Sequence, residues 1–378
     1  MNKGSRFILN TSLAVLRGIY APMKRRPIRK KTTIISRQSD EPSMDIALLA
    51  DYLRQNHPDM ELKVMCHMLE GRGKLGYVFH MLRQMWNMSN SPVVVLDGYC
   101  IAACVLDHRR ETEIVQMWHA LTAVKKFGYQ TVGRVSGRTS EIAEIMRMHR
   151  NYDHILCPGS ETGKLFCEAF RARQEQLLPL GLPRIDRILN PEKKTVSLRE
   201  EYGIPADKEV LLYAPTFRRN DSVRPGNLLS VIDPDRFVLV VCLHPLDEDT
   251  SAFVQEPDSP LRVIIERRYS TYDWLAECDR IITDYSALGV EAALTGKPVY
   301  FYVYDIEEYG EKTGLNIDPR VQIPQATALT GGQLAELLRR PYDREGLQAF
   351  RDKYVEIDTN NCTERLGEYI YGMAEEAL

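Results

Sequence analysis

The sequence predicts an α/β protein made of two successive α/β domains. Short apolar and β-branched runs, such as Val93-Val94-Val95-Leu96, alternate with stretches of helical periodicity, and this pattern is typical of strands buried in a parallel sheet. The alternation stops near Gly181-Leu182-Pro183 and then starts again. At 378 residues the chain is also longer than one hydrophobic core usually organises.

Residues 1–31 are predicted to form a basic amphipathic segment that associates with a membrane surface. Residues 1–39 contain ten Lys or Arg and no Asp or Glu, although the whole chain has a formal net charge of −3. Apolar residues between Phe7 and Tyr20 precede the basic run, as in helices that lie on anionic leaflets. A nucleic-acid-binding arm or a solvated tail is a weaker interpretation, because neither uses the apolar residues.

The first α/β domain is predicted over residues 32–182. Strands are expected at 32–36, 62–65, 93–97, 113–118, 154–157 and 176–180, and helices at 45–54, 74–88, 138–150 and 160–173.

The second α/β domain is predicted over residues 183–342, and residues 343–378 are expected to be largely helical and to pack across both domains. Strands are expected at 210–213, 237–241, 262–264, 280–283 and 298–302, and helices at 271–277 and 286–295. Ligands of open parallel sheets bind at the strand ends, so a cleft with the two domains facing it is the expected site.

Cysteine usage and missing motifs restrict the class of protein. The eight cysteines form no CxxC pair and several lie in apolar runs, which indicates buried free thiols in a reducing cytoplasm. No run of roughly eighteen apolar residues predicts a membrane-spanning helix, and Arg17 interrupts what would be the core of a signal peptide. GxxxxGK[ST], HExxH, GxSxG and a GxGxxG after the first strand are missing. The sequence therefore requires neither a metal nor a cofactor.

The stretch 116–128 carries His119 from a hydrophobic run into a basic segment. An imidazole titrates near neutral pH, and Lys125 and Lys126 follow it, so this stretch is suited to deprotonate an alcohol beside an anionic substrate. The structural interpretation is a hydrogen-bonded core histidine at a strand end. This stretch alone favours the structural interpretation, whereas the motifs of the second half favour the catalytic one.

Two motifs of the second half place phosphate-binding groups just after strands. Thr216 and Arg218 offer a hydroxyl and a guanidinium, and a guanidinium binds phosphate in bidentate fashion. A turn with surface arginines is the alternative. His244 follows another strand, where it could donate to a phosphate oxygen or protonate a leaving group, against a structural role of equal weight.

Two further motifs follow later strands. Asp284 and Ser286 lead into a predicted helix whose N–H groups can meet an anion, although either residue could be a plain N-cap. Glu291 could bind a ribose or glycerol hydroxyl from the same helix. The aromatic and acidic stretch 302–309 suits a polyol or nucleoside, but also an ordinary loop.

Taken together, these motifs resemble the CDP-glycerol glycerophosphotransferase family of teichoic acid synthesis. The resemblance covers roughly residues 115–320 and is carried by 116–119 with 125–128, then 181–186, 213–218, 243–245, 283–286 and 296–298 leading to 302–305. It implies a GT-B-like fold with two Rossmann-like domains, a cytidine diphosphate alditol donor and a membrane-bound acceptor. Polymerases of the family tend to read Trp-His-Gly-Thr, whereas Ala120-Leu121 follows His119 here, which is closer to the primase branch.

The resemblance also implies an activity and a set of site residues. The first domain would bind the acceptor and the second the donor. Glycerol phosphate would pass from CDP-glycerol to a hydroxyl of an undecaprenyl-diphosphate-linked disaccharide at the cytoplasmic face of the cell membrane, with release of CMP. His119 would be the base and His244 a second catalytic residue, and the implied substrate-binding residues are Lys126, Arg184, Asp186, Thr216, Arg218, Asp284, Ser286 and Glu291.

Three alternatives stay open. One is a member of the same family that uses CDP-ribitol or polymerises. Another is a nucleotide-sugar glycosyltransferase on the same GT-B architecture, which would release a nucleoside diphosphate instead of CMP. The third is a non-catalytic membrane-surface or nucleic-acid-binding protein that uses the basic arm, but this would leave the histidines and hydroxyls at strand ends unexplained.

Overall fold

The computed structural model describes residues 2–68, 74–134, 137–192, 194–218, 225–244, 247–255, 258–357 and 360–378. It separates into two compact units. The first unit comprises Met1–Leu121, Lys126–Asp186 and Glu356–Leu378, and the second comprises Thr122–Lys125 and Arg187–Val355. Compared with the predicted boundaries, the division falls after Asp186 instead of after residue 182, and the C-terminal segment is shared between the two units.

In the first unit, helices alternate with the strands of a parallel sheet. Its elements are α1 (Lys3–Met23), β1 (Lys31–Ser36), α2 (Met44–Asn56), β2 (Glu61–Cys66), α3 (Lys74–Met88), β3 (Val93–Leu96), α4 (Ile101–Val105), β4 (Glu113–Gln116), α5 (Ser140–Ile145), β5 (His154–Leu156), α6 (Ser160–Phe170) and β6 (Leu177–Leu178). Helix α7 (Arg184–Leu189) crosses the division between the units.

The second unit repeats this architecture. It contains α8 (Leu198–Glu201), β7 (Glu209–Tyr213), α9 (Leu228–Val231), β8 (Phe237–Val241), β9 (Val263–Ile265), α10 (Thr271–Glu277), β10 (Arg280–Thr283), α11 (Leu288–Ala293), β11 (Val299–Tyr302), α12 (Ile306–Lys312), α13 (Pro319–Gln322), β12 (Thr327–Ala328), α14 (Gly331–Arg339) and α15 (Arg344–Tyr354). The last helix, α16 (Cys362–Glu376), returns to the first unit and packs on α2.

Each unit has one six-stranded sheet among the described residues. The strand orders are β2-β1-β3-β4-β5-β6 and β12-β11-β10-β7-β8-β9. All neighbouring strands are parallel, so the carboxyl ends of the strands in each sheet share one edge. Helices cover both faces of such sheets, which explains why β3 and β8 are buried along their whole length.

Helix α1 packs against the first unit with one face only. Leu13 and Tyr20 are buried, and the Tyr20 hydroxyl lies 3.0 Å from Nδ1 of His108. On the opposite face, Phe7 and Ile8 are 73% and 67% exposed. No helix within the described ranges is long and apolar enough to cross a membrane. The predicted amphipathic character is therefore present, and the role of the exposed face stays a prediction.

Left-handed backbone conformations explain two elements that were predicted too long. The expected strand 113–118 ends at Gln116, because Trp118 has φ 63°. The expected helix 138–150 ends at Ile145, because Arg147 and His149 have φ values of 45° and 58°. The periodicity of apolar residues gives no information on whether a bulky residue has a positive φ. The apolar pattern continues past both positions, so the predicted strand and the predicted helix are too long.

Other differences are shifts of boundaries. The strand expected at 176–180 is only Leu177–Leu178, and the one expected at 262–264 is Val263–Ile265. The helix expected at 286–295 covers only Leu288–Ala293. The C-terminal stretch forms two helices, α15 in the second unit and α16 in the first.

All eight cysteines are free thiols, and six of them are buried. Burial raises the pKa of the Cys157 thiol to about 11, so this thiol is neutral at physiological pH.

Candidate functional site

His119 lies just beyond β4, at the carboxyl edge of the first sheet. Its Nδ1 is 2.9 Å from the backbone oxygen of Asp97 and 3.2 Å from Nε2 of Gln38. The shorter contact is to a carbonyl oxygen, which can only accept, so it selects the tautomer with the proton on Nδ1 and the lone pair of the neutral ring on Nε2. The amide nitrogen of Gln38 can only donate, so the longer contact is a hydrogen bond only in the other tautomer. The tautomer with the lone pair on Nε2 is the one that a general base needs.

Trp118 fixes the ring of His119 from one side. The two rings pack at a tilt of 37° with centroids 4.2 Å apart, and Trp118 stacks on Phe127 at 4.5 Å. The backbone N–H of Trp118 donates to Oε1 of Gln116 at 2.9 Å, which supports its left-handed conformation. A strained backbone beside a candidate base is a feature often found at functional sites.

Asp97 is a buried carboxyl group next to His119. Its Oδ2 accepts a hydrogen bond from Oγ of Ser36 at 2.6 Å, and its Oδ1 is buried without a hydrogen-bond partner among the described residues. Burial raises the pKa of Asp97 to about 6, and the nearby charge of Asp45 adds to this effect, although the Ser36 hydrogen bond opposes it. Asp97 therefore titrates close to neutral pH.

Arg184 and Asp186, both predicted to bind substrate, make contacts within the first unit. The backbone N–H and Nε of Arg184 donate to the buried Asp45 at 2.8 and 2.9 Å. Nη2 of Arg184 also donates to the backbone oxygen of His119 at 3.0 Å. Asp186 accepts from the N–H groups of Cys362 and Thr363 at 2.8 and 2.7 Å, and thereby caps α16. These contacts position backbone around His119 and at the start of α16.

In the second unit, Arg218 lies between two carboxylates. It contacts Asp284 at 3.0 Å and Asp305 at 2.7 Å. Burial alone would lower the pKa of Arg218, but Asp284, Tyr304 and Asp305 together outweigh it and the pKa is raised. The hydroxyl of Tyr285 donates to the other oxygen of Asp305 at 2.9 Å. The guanidinium therefore joins the loops after β7, β10 and β11.

Thr216 lies in the same cluster. Its backbone N–H donates to Oδ1 of Asp284 at 2.7 Å. Its hydroxyl is buried, and within the described part of the chain it has no hydrogen-bond partner. A buried hydroxyl without a hydrogen-bond partner destabilises the fold unless a ligand or a water molecule provides that hydrogen bond. Thr216 is therefore a candidate ligand contact.

His244 and Lys125 add cationic and basic groups to the second unit. The ring of His244 stacks on Phe217 with centroids 4.7 Å apart. Desolvation and the positive charge of Lys125 lower the pKa of His244, so the ring is neutral at physiological pH. Burial also lowers the pKa of Lys125, partly against the attraction of Asp284. Lys126, the next residue, belongs to the first unit and is partly exposed.

Ser286 and Glu291 lie at and within α11. Oγ of Ser286 accepts from the N–H of Leu288, the first residue of α11, at 3.3 Å, and Ser286 remains partly exposed. Glu291 is buried and accepts a hydrogen bond from the hydroxyl of Tyr272 at 2.6 Å. The helix is six residues long, so its dipole is a small contribution to anion binding.

The structure brings some predicted residues together and adds others. Thr216, Arg218 and Asp284 form one contact cluster, which Asp305 completes. Sequence reasoning missed Asp97 as a site residue, although it directly follows a buried strand. Functional groups often follow the strands of a parallel sheet, and the same reasoning in the first half of the chain identifies Asp97.

The described residues contain no group of three or more His, Cys, Asp or Glu that could hold a metal ion.

Three comparisons relate the chain to known proteins. A family model described as CDP-glycerol:poly(glycerophosphate) glycerophosphotransferase matches residues 19–372. The chain is 29% identical to the teichoic acid ribitol-phosphate primase of Bacillus spizizenii, with 90% of each chain covered. It is 28% identical to the teichoic acid glycerol-phosphate primase of Bacillus subtilis, with 77% and 76% covered.

A solved structure of the wall teichoic acid polymerase TagF shares the fold. It superposes with a TM-score of 0.74 at 19% identity, covering 100% of this chain and 99% of the other. This agrees with the GT-B-like architecture expected from the resemblance. Since the family model spans nearly the whole chain, the protein is a transferase that belongs to the CDP-glycerol:poly(glycerophosphate) glycerophosphotransferase family.

Proposed function

We propose that this protein transfers glycerol phosphate from CDP-glycerol to a hydroxyl of an undecaprenyl-diphosphate-linked disaccharide. CMP is the second product, and a single addition starts a wall teichoic acid or related cell-surface polymer. The family description and the glycerol-phosphate primase of Bacillus subtilis support this choice of donor and reaction.

The observation that carries the proposal is the hydrogen bond between Nδ1 of His119 and the backbone oxygen of Asp97. It leaves the lone pair of the neutral ring on Nε2, ready to accept a proton from an alcohol. Packing against Trp118 and the Arg184 contact to the His119 carbonyl restrain the ring and its backbone. In this proposal His119 is the general base.

The proposed reaction is a displacement at phosphorus. Nε2 of His119 takes the proton of the acceptor hydroxyl while its oxygen attacks the donor phosphorus distal to cytidine. The bond from that phosphorus to the bridging oxygen breaks, and the oxygen leaves with the electron pair on CMP. Positioning and charge neutralisation provide most of the catalysis in such transfers.

The second unit supplies the donor contacts in this proposal. The buried hydroxyl of Thr216 has no hydrogen-bond partner among the described residues, and Lys125 and His244 offer further donors in the same unit. Arg218 forms ion pairs with two carboxylates. We therefore assign it a main role in holding the loops together and a secondary role in contacting the diphosphate. Ser286 and Glu291 are assigned to the diphosphate and an alditol or ribose hydroxyl.

CDP-ribitol is the second candidate donor. The ribitol-phosphate primase of Bacillus spizizenii aligns over 90% of both chains, more than the glycerol-phosphate primase does. The two donors differ in the length of the alditol, so one protein preparation can be tested with both.

The test is to incubate the purified protein with CDP-glycerol or CDP-ribitol and a short-chain lipid-diphosphate disaccharide. Mass spectrometry of the lipid product and quantification of CMP report the outcome. We expect one added alditol phosphate and one CMP per product. A ladder of additions would identify a polymerase. Transfer of a sugar from nucleotide sugars with release of a nucleoside diphosphate, and no reaction with either CDP-alditol, would refute the proposal.

A further inference from the structure

We propose that a cavity at the edge of the first sheet binds the sugar rings of the acceptor. The cavity has a volume of about 630 Å³ and lies between the end of β2, the segment 40–42 and helix α3. This volume is in the range of small-ligand sites. The inference rests on the proposed function, because it names where the first unit holds the saccharide.

The polar wall of the cavity is built around His67. This buried ring places Nδ1 3.0 Å from Oδ1 of Asp40, which also accepts from the N–H of Met68 at 3.1 Å. The ring of His80 packs beside it with centroids 4.4 Å apart. Donation from Nδ1 fixes the tautomer of His67 and turns Nε2 into an acceptor for a hydroxyl. Sugars offer many such hydroxyls.

The other wall is apolar. Phe79 lines the cavity and is 67% exposed, and Val64 and Met65 from β2 also line it. An exposed aromatic ring beside ordered hydrogen-bonding groups is a common arrangement in ligand sites, where it covers the apolar face of the bound molecule. The C–H face of a sugar ring fits this wall, while its hydroxyls meet the polar wall.

Charge distinguishes a saccharide from a phosphate. The carboxylates of Asp40 and Glu41 line the cavity, and Arg83 is the one Lys or Arg among its described lining residues. Two carboxylates against one guanidinium repel a diphosphate, whereas they accept hydrogen bonds from neutral hydroxyls. The cavity therefore suits the uncharged disaccharide and not the diphosphate of the acceptor.

A short series of hydrogen bonds connects the cavity with the proposed base. The N–H of His67 donates to the backbone oxygen of Ser36 at 3.1 Å, and Oγ of Ser36 donates to the carboxylate of Asp97 at 2.6 Å. The backbone oxygen of Asp97 in turn holds Nδ1 of His119. Gln38, which contacts His119, lies two residues from Asp40 in the same loop. The cavity and the proposed base thus lie along the same edge of the first sheet.

The test measures the KM for the short-chain lipid-diphosphate disaccharide in wild type, Phe79→Ala and Asp40→Asn. We expect the acceptor KM to rise about three- to tenfold in each variant, with kcat and the KM for CDP-glycerol unchanged. Val78→Ala is the matched control, because Val78 is 44% exposed on the same helix and does not line the cavity. Thermal unfolding checks that each variant is folded.

Every other outcome of this experiment also supports or contradicts the proposed saccharide site. Unchanged acceptor KM in both cavity variants would overturn the inference, as would an equal rise in the donor KM. If Phe79→Ala instead weakened only co-sedimentation with vesicles, Phe79 would be a membrane contact. If the wild type transferred neither alditol, ligand-observed NMR with the free disaccharide would still test the cavity. Binding lost in Phe79→Ala would then support it, and binding kept in both variants would refute it.

Discussion

The proton on Nδ1 of His119 is held by a backbone carbonyl, so Nε2 is the atom on which the proposed chemistry depends. We expect His119→Ala to lower kcat by about 10²- to 10⁴-fold, the usual contribution of a general base. The readout is CMP release with acceptor and CDP-glycerol. His154→Ala is the control, since this partly exposed histidine pairs with Glu113 away from the proposed base. Near-wild-type turnover of His119→Ala would remove the base assignment.

At the same scale, Asp97 predicts a pH dependence of stability. Its pKa rises from 3.8 to about 6 on folding, so between these values the native state binds more protons than the unfolded state. The contribution of Asp97 to the free energy of unfolding therefore falls as the pH rises through this window, by about 3 kcal/mol at most. Asp97→Asn resembles the protonated form and is expected to remove this contribution.

Chemical denaturation of wild type and Asp97→Asn across the window measures the effect. Asp51→Asn is the control, because Asp51 is exposed and forms an exposed ion pair with Arg54 on the same helix. The same pH dependence of the free energy of unfolding in wild type and Asp97→Asn would contradict the assignment to Asp97.

At the scale of elements, a buried ion pair joins the start of α2 to the start of α7. Asp45 is almost fully buried, and Arg184 donates to it through its backbone and its guanidinium. Removing one partner leaves an uncompensated buried charge, so we expect Arg184→Ala to lower the free energy of unfolding by about 3–5 kcal/mol. Urea denaturation of the full chain measures this loss.

Arg54→Ala is the matched control for this experiment. The Arg54–Asp51 pair lies on the same helix α2, and both side chains are largely exposed. Exposed pairs contribute less than about 1 kcal/mol, so this variant should unfold almost like wild type. Equal losses in the two variants would show that the Arg184–Asp45 pair has no special role.

At the scale of the whole molecule, α1 offers an apolar and basic surface. Phe7 and Ile8 are exposed, and the segment 1–31 carries most of the N-terminal positive charge. We expect co-sedimentation with anionic vesicles, weaker binding at high salt, and loss of binding in Phe7→Glu with Ile8→Glu. Val196→Glu, a change at a 51% exposed valine of the second unit, should bind like wild type. Equal binding to zwitterionic vesicles, or salt-sensitive binding to nucleic acid that is lost on deleting residues 1–31, would contradict the membrane role.

The sequence by itself determined the architecture and several of the groups that follow strands. Short continuous apolar runs such as Val93–Leu96, alternating with helical stretches, are typical of strands buried in a parallel sheet. His119 and Thr216 could be placed beyond strands for that reason. The alternation also predicted two α/β units. These features depend on local periodicity, which a chain displays without its partners.

Only the tertiary structure decided what those groups contact. The tautomer of His119 depends on a carbonyl 22 residues away, and Arg184 meets Asp45 across 139 residues. Asp186, predicted to bind substrate, caps a helix that begins at Cys362. Hydrogen-bond partners at such separations are set by how strands and helices pack, and no local pattern of residues records that packing.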